Sequence, residues 1–274
     1  MEKVSVLMSV YCKENPTFLK ESIQSLLKQT LVPNEILIIK DGSLTPELDQ
    51  VLTDFEREYP KIFNIHVLEE NHGLAYALAY GVKHAKYEYI ARMDSDDIAA
   101  PDRIEDQLKQ MTKNYYDIYG GQIAEFEGTI GHIIAKREVP TEMKEIAEFA
   151  HRRNPFNHMT VMFRRSKILE LGNYHELVGF EDYDLWIRAI QKQYHLGNSN
   201  DIYVYVRAGH DMMNRRGGIS YIKENYQARR QFKRENFYTI KDFLITILGV
   251  TATSLIPSKL RYFIYYNLNL LRKR

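Results

Sequence analysis

The sequence predicts an α/β protein built on a largely parallel sheet with helices on both faces, and three observations carry that reading. Apolar runs of strand length alternate with amphipathic helical segments through the first hundred residues. Polar loops follow the first, second and fourth of those runs. Two acidic clusters, Asp94-Ser95-Asp96-Asp97 and Glu181-Asp182-Tyr183-Asp184, stand on either side of the chain's midpoint.

Residues 4–10 form the first apolar run. Asn15-Pro16 then opens a helix, with Asn as N-cap and Pro in the first turn. Leu19, Ile23, Leu26 and Leu27 share one face of it. Residues 35–40 read as a second buried strand, stopped by Asp41-Gly42-Ser43. Residues 46–59 read as helix, 63–68 as strand, 74–85 as helix and 87–93 as the fourth strand, which ends at the first acidic cluster. Strands separated by helices imply right-handed parallel crossovers. Ligands in such sheets bind beyond the carboxyl ends of the strands, where Tyr11-Cys12-Lys13, Asp41-Gly42-Ser43 and Asp94 to Asp97 emerge together.

After a helix over 101–114 the rhythm changes. Residues 118–126 and 129–137 read as a hairpin around Glu127-Gly128, 142–153 as a helix and 160–164 as a short strand. The second acidic cluster opens an apolar helix through Ile190, and 203–207 is an aromatic strand. From Tyr221 onward the chain is helical and basic. The expected division is 1–218 as one domain, with 1–100 binding a nucleotide and 101–218 binding an acceptor, followed by a helical segment over 219–274.

Composition removes several function classes. A net charge of +1, from 37 basic and 36 acidic residues, gives no global field to attract nucleic acid. Cys12 is the single cysteine, so no internal disulfide can form; it is expected as a small buried residue. No apolar stretch reaches the roughly 18–20 residues that span a bilayer, and the first residues carry no signal-peptide pattern. The expectation is a cytoplasmic protein.

Packed carboxylates repel one another, so a cation is expected among Asp94, Asp96 and Asp97. Hard divalent ions take such oxygen ligands. An EF-hand is excluded, because Ile98 and Ala99 occupy the fifth ligand and glycine positions. The second cluster sits where a helix dipole favours carboxylates, and it suits taking a proton. Arg92 and Arg103 flank the first cluster and suit either phosphate or structural ion pairs.

These residues carry a family resemblance. The chain resembles the family 2 glycosyltransferases of GT-A fold, through residues 6–11, Ile39-Lys40-Asp41-Gly42-Ser43, Asn71-His72-Gly73-Leu74-Ala75, residues 91–97, Pro101-Asp102-Arg103, Asn157-His158-Met159-Thr160 and residues 181–186. The ordered series covers residues 3 to about 218. The resemblance implies a UDP-sugar donor, Mn²⁺ or Mg²⁺, and inversion at the anomeric carbon. It implies that Ser9 and Tyr11 line a uridine pocket, that Asp41 contacts uracil and that Asp94 faces the ribose. Asp96 would be the metal ligand, supported by Asp97, and Asp182 the catalytic base. The similar subgroup moves galactose or glucose in β1,3 linkage onto an N-acetylhexosamine carried by a lipid diphosphate, in bacterial surface polysaccharide synthesis.

Other residues complete the expected site. Glu181 orients the acceptor beside Asp182, with Asp184 and His158 on the acceptor side. Asn71 and Gly73 lead into a helix whose amides approach the nucleotide. His210 lies where the resemblance implies a further metal ligand, and Arg215 and Arg216, beside two glycines, suit a loop closing over the diphosphate. The segment 243–274 mixes aliphatic and aromatic residues with Lys and Arg, which suits an anionic membrane surface at the inner face of the cell membrane. Packing on the domain, or on a second protomer in a homodimer, is the competing account. Alternative activities are a sugar-phosphate nucleotidyltransferase, disfavoured by the lack of a Gly-rich basic loop after the first strand, and a non-catalytic nucleotide-sugar-binding subunit.

Overall fold

Strands β1 (Val4–Val10), β2 (Glu35–Asp41) and β4 (Tyr89–Arg92) bury both faces, as parallel strands with helices above and below must. A computed structural model describes residues 2–208 and 217–257. With β3 (Phe63–Leu68), these strands pair in the order β3-β2-β1-β4, all parallel. The crossovers are α1 (Pro16–Leu27), α2 (Pro46–Glu58) and α3 (Leu74–His84). Asn15 caps α1 by accepting the amides of Thr17 and Phe18, and Thr45 caps α2 through the Leu48 amide.

The sheet continues past residue 100. Antiparallel β8 (Met162–Arg164) joins β4 to β6 (Ile118–Phe126), and β6 runs parallel to β9 (Leu196–Arg207). The far edge is β5 (Ile98–Ala99), antiparallel to β9, while β7 (Ile133–Arg137) forms the expected hairpin with β6. Both halves of the expected division therefore share one nine-stranded sheet.

Several bounds differ from the expected ones. β9 begins at Leu196 rather than 203, because its polar first half is satisfied by neighbouring loops: Asn198 donates to the carbonyls of Pro140 and Pro155. β5 has only two residues and exists through its ladder to Tyr205 and Val204. The helix expected over 142–153 is α5 (Met143–Phe149), since after Ala150 the chain turns, with the His151 and Arg152 amides donating to the Glu148 and Phe149 carbonyls; the short α6 (Arg165–Glu170) follows β8. The second hairpin strand starts at Ile133, because residues 127–132 are used in the turn.

Alternation along β1 divides the core. Val6 and Met8 pack with α1, α2 and α4 (Arg103–Asn114), while Leu7 packs with α3 and α7 (Glu181–Gln191) around buried Trp186. A third cluster joins Tyr183 and Ile187 of α7 to Ala228 and Phe232 of α8 (Gly218–Arg234). α9 (Ile240–Ser254) begins with a Thr239/Asp242 capping box.

Buried polar side chains fix where the strands end. Gln107 of α4 donates to the carbonyls of Tyr119 and Thr160 and accepts from Arg103 Nε. Arg103 in turn donates to the Arg92 carbonyl at the end of β4. Gln107→Ala removes the side-chain donor to two buried carbonyls and the acceptor of a guanidinium N–H, at about 1–3 kcal/mol for each group left without a partner. Urea unfolding of this variant is expected to show a loss of about 3 kcal/mol or more. A loss below about 1 kcal/mol would mean the network does not hold these elements together.

Candidate active site

Loops leave the carboxyl ends of β1, β2, β3 and β4 on one edge of the sheet, and hydrogen bonds join them. Asp41 is buried at the end of β2. Its carboxylate accepts from the His72 amide (2.8 Å), the Gly73 amide (2.9 Å) and the Asn71 side chain (3.1 Å). Gly42 follows with φ +83°, and a Cβ there would lie 2.9 Å from the Asn71 backbone nitrogen. In the loop after β1, Glu14 accepts from its neighbour's amide and from the Ser95 hydroxyl. Ser22 of α1 donates to the Asp94 carbonyl at 2.9 Å.

Asp94, Asp96 and Asp97 each offer a carboxylate oxygen, all within 4.8 Å of one another. Burial, then Asp94, then Glu14 push the Asp96 carboxyl up to about 6. Burial and the neighbouring Asp94 and Asp96 hold Asp97 well above the carboxylate range. The Arg207 amide donates to Asp97 (3.1 Å) and its Nε to the Asp96 carbonyl (2.7 Å). The Arg207 guanidinium lies over the Phe18 ring and pairs with Glu21, so it braces the cluster from behind. Three converging hard oxygens, with burial disfavouring the charge of Asp96 and Asp97, fit a divalent cation such as Mn²⁺ or Mg²⁺.

Arg92 links the two acidic clusters. It is 2% exposed, with Nη2 2.5 Å from Asp94 Oδ1, while its Nε and Nη1 are buried without hydrogen-bond partners among the described residues. Burial raises Asp96, Asp97, Glu181 and Asp182, and the Arg92 charge opposes the rise in all four. Glu181 is pushed up to about 7, by burial first and then by Asp182. Asp182 is also raised by burial, against hydrogen bonds from Asn154 Nδ2 (2.6 Å) and the Tyr183 amide (2.7 Å). Partly desolvated carboxyls whose pKa is lifted toward neutrality suit proton transfer. His158 faces the same region: its Nε2 is 3.0 Å from the Tyr174 hydroxyl, and burial and Arg92 hold its imidazole neutral.

The structure corrects four expectations. Asp184 is fully buried and spent on Arg188 (2.8 Å), His175 (3.0 Å) and Gln231 (3.2 Å). Two residues along a helix from Asp182, it faces the opposite side and holds α7 to α8. The Asn71 side chain and the Gly73 amide are engaged by Asp41, so they shape the loop instead of offering free donors. Among the described residues Arg103 pairs with no carboxylate; it donates to Gln107, Met93 and the Arg92 carbonyl. Cys12 is exposed, not buried. Ser9 is half-buried near the end of β1, and Tyr11 is 41% exposed just beyond it. His210, Arg215 and Arg216 lie outside the described residues. Sequence reasoning missed Asn154, Tyr174 and Arg207. Asn154 stands before Pro155 in a segment without periodicity, and Arg207 reads as the end of a strand.

Comparison with known proteins gives a consistent picture. The family model described as "Glycosyl transferase family 2" matches residues 5–172. The chain is 36% identical over 264 residues to a UDP-Gal:alpha-D-GlcNAc-diphosphoundecaprenol beta-1,3-galactosyltransferase of Escherichia coli, covering 96% of this chain and 95% of that protein. It is 37% identical over 265 residues to the amylovoran biosynthesis glycosyltransferase AmsE of Erwinia amylovora, covering 95% and 97%. The fold is similar to that of the mannosyltransferase PcManGT from Pyrobaculum calidifontis in complex with GDP-Man and Mn²⁺, with TM-score 0.63, 15% identity, and 98% and 81% coverage. The mixed sheet is thus the GT-A arrangement expected from the sequence.

The raised Asp96 pKa has a thermodynamic consequence. Between about pH 4 and about pH 6 the native state binds more protons than the unfolded chain, so its contribution to stability falls as pH rises through that window. A divalent cation must displace those protons. Mn²⁺ is therefore expected to raise Tm little at about pH 5 and by several degrees at about pH 7.5, relative to EDTA. Differential scanning fluorimetry tests this, and a pH-independent shift that survives Asp96→Asn would place the cation elsewhere.

Proposed function

The chain belongs to glycosyl transferase family 2, and from that membership we propose that it transfers a hexose, galactose before glucose, from a UDP-sugar to a lipid-diphosphate-linked N-acetylhexosamine. The galactosyltransferase and amylovoran relatives support this donor and acceptor class and a place in bacterial surface polysaccharide synthesis. The observation that supports the reading is the convergence of the Asp94, Asp96 and Asp97 carboxylates within 4.8 Å of one another just beyond the carboxyl end of β4.

In this reading Asp182 accepts the proton of the acceptor hydroxyl as that oxygen attacks the anomeric carbon from the face opposite the departing UDP, which inverts the configuration. Glu181 beside it orients the acceptor. Asp96, with Asp94 and Asp97, would hold Mn²⁺ or Mg²⁺, which supplies Lewis-acid neutralisation of the leaving diphosphate. Ser9, Tyr11 and Asp41 form the nucleoside side of the site, and His158 is on the acceptor side as a neutral donor or acceptor. UDP release from a panel of UDP-sugars, with and without a GlcNAc-diphosphate-lipid analogue, tests the assignment. Acceptor-stimulated release from UDP-galactose, falling about 10²–10⁴-fold in kcat in Asp182→Asn with donor binding kept, is expected. Undiminished turnover in that variant would remove Asp182 as base.

A lipid-borne acceptor calls for a surface that meets a membrane. No helix among the described residues is long and apolar enough to cross one. The outer side of α9 exposes Leu244 (52%), Ile245 and Leu248 (68%), and α8 carries exposed Arg230, Lys233 and Arg234. Apolar and basic residues together suit peripheral contact with anionic lipid. Leu244→Glu with Leu248→Glu is expected to reduce cosedimentation with anionic liposomes severalfold while UDP-sugar binding persists. Unchanged cosedimentation, or conversion of a dimer to a monomer, would assign that face to protein.

A further inference from the structure

The Asn154 side chain is held at both ends. Its Oδ1 accepts the Phe156 amide (3.2 Å), and its Nδ2 donates to Asp182 Oδ2 (2.6 Å). A backbone N–H can only donate, so the Phe156 contact determines which end of the amide is oxygen and turns the NH₂ toward the carboxylate. The surrounding loop is also fixed. The Asn154 carbonyl lies 3.4 Å from Arg137 Nη2, the Pro155 carbonyl accepts from Asn198, and Asn157 donates to the Gly121 carbonyl.

We propose that Asn154 is the positioning residue of the base: it fixes the Asp182 carboxylate in one rotamer and keeps it ionised, with lone pairs left for the acceptor hydroxyl. This rests on the reading of Asp182 as base. With the Tyr183 amide on Oδ1 and Asn154 on Oδ2, each oxygen retains acceptor capacity. Burial works toward protonating this carboxyl. The charged and titratable groups facing it are Glu181, Arg92, Arg137 and Tyr174, of which the two arginines assist ionisation. Asn154 differs from those arginines in adding direction: a hydrogen bond to one oxygen fixes the plane of the carboxylate as well as its charge.

Asn154→Asp is the decisive variant. It keeps the oxygen that accepts the Phe156 amide, and it replaces the donor facing Asp182 by a second carboxylate oxygen. Acceptor-dependent UDP release from UDP-galactose, with the GlcNAc-diphosphate-lipid analogue, would be followed against pH. Losing a hydrogen bond to a charged group raises the pKa of Asp182, so the acid limb of kcat should move up by about one to two pH units. On the acid side of the wild-type limb kcat should fall roughly 10–100-fold. UDP-galactose affinity should stay at its wild-type value, and Asn154→Ala, which introduces no second carboxylate, should move the limb in the same direction. A wild-type pH profile and kcat in Asn154→Asp would overturn the proposal. So would lowered donor affinity with an unmoved acid limb in both variants, which would make Asn154 a purely structural loop residue. If Asp182→Asn retains activity, the base reading falls and this one with it. If Asp182→Asn is inactive while Asn154→Asp is normal, only the positioning role is lost.

Discussion

A buried guanidinium, that of Arg92, pairs with Asp94, and its positive charge opposes protonation in both acidic clusters. Arg92 is the last residue of β4; its amide donates to Val161 and its carbonyl accepts from Arg103. From there its charge opposes protonation of Asp96 and Asp97 on one side and of Glu181 and Asp182 on the other. Burying a charge with two nitrogens unpartnered costs several kcal/mol, more than the single close contact to Asp94 returns. A fold selected for stability alone would place a leucine there. The charge sits where it opposes the protonation that burial favours at Asp96, Asp97, Glu181 and Asp182.

The rest of the scaffold serves to keep that geometry rigid. Gln107, Arg103 and Arg92 connect α4, β6 and β4 through buried hydrogen bonds. Arg207 joins β9 to the first acidic cluster, and Asp41 joins the β2 loop to the β3 loop. Asp182 lies in the first turn of a helix whose Trp186 and Leu185 are fully buried, so its carboxylate has a fixed base. Asp184 anchors that helix to His175 and to Gln231 of α8. Two acids of one motif thus have different surroundings, Asp182 beside Asn154 and Asp184 in the core.

Much of the first half was legible because parallel strands buried on both faces read as continuous apolar runs, and because Asn15-Pro16 and Thr45-Pro46 mark helix starts locally. β5 and the first half of β9 were not, since each is a strand only through its ladder partner. Asp94 to Asp97 and Glu181-Asp182 could be picked out as candidates, because like charges gathered at an element's end demand an explanation. The exposure of Cys12, and the engagement of Gly73 by Asp41, could not be inferred: both follow from how one loop lies against another.

By itself the sequence determined the class of fold, the identity of the two acidic clusters and the family to which their order belongs. It did so through properties carried by neighbouring residues: periodicity, capping and the spacing of charges. The tertiary structure alone decided that the clusters share Arg92, that Asn154 faces Asp182, and that Asp184 is withdrawn into the core. These are contacts between segments far apart in the chain, and their energies depend on distance and burial, which no local pattern encodes.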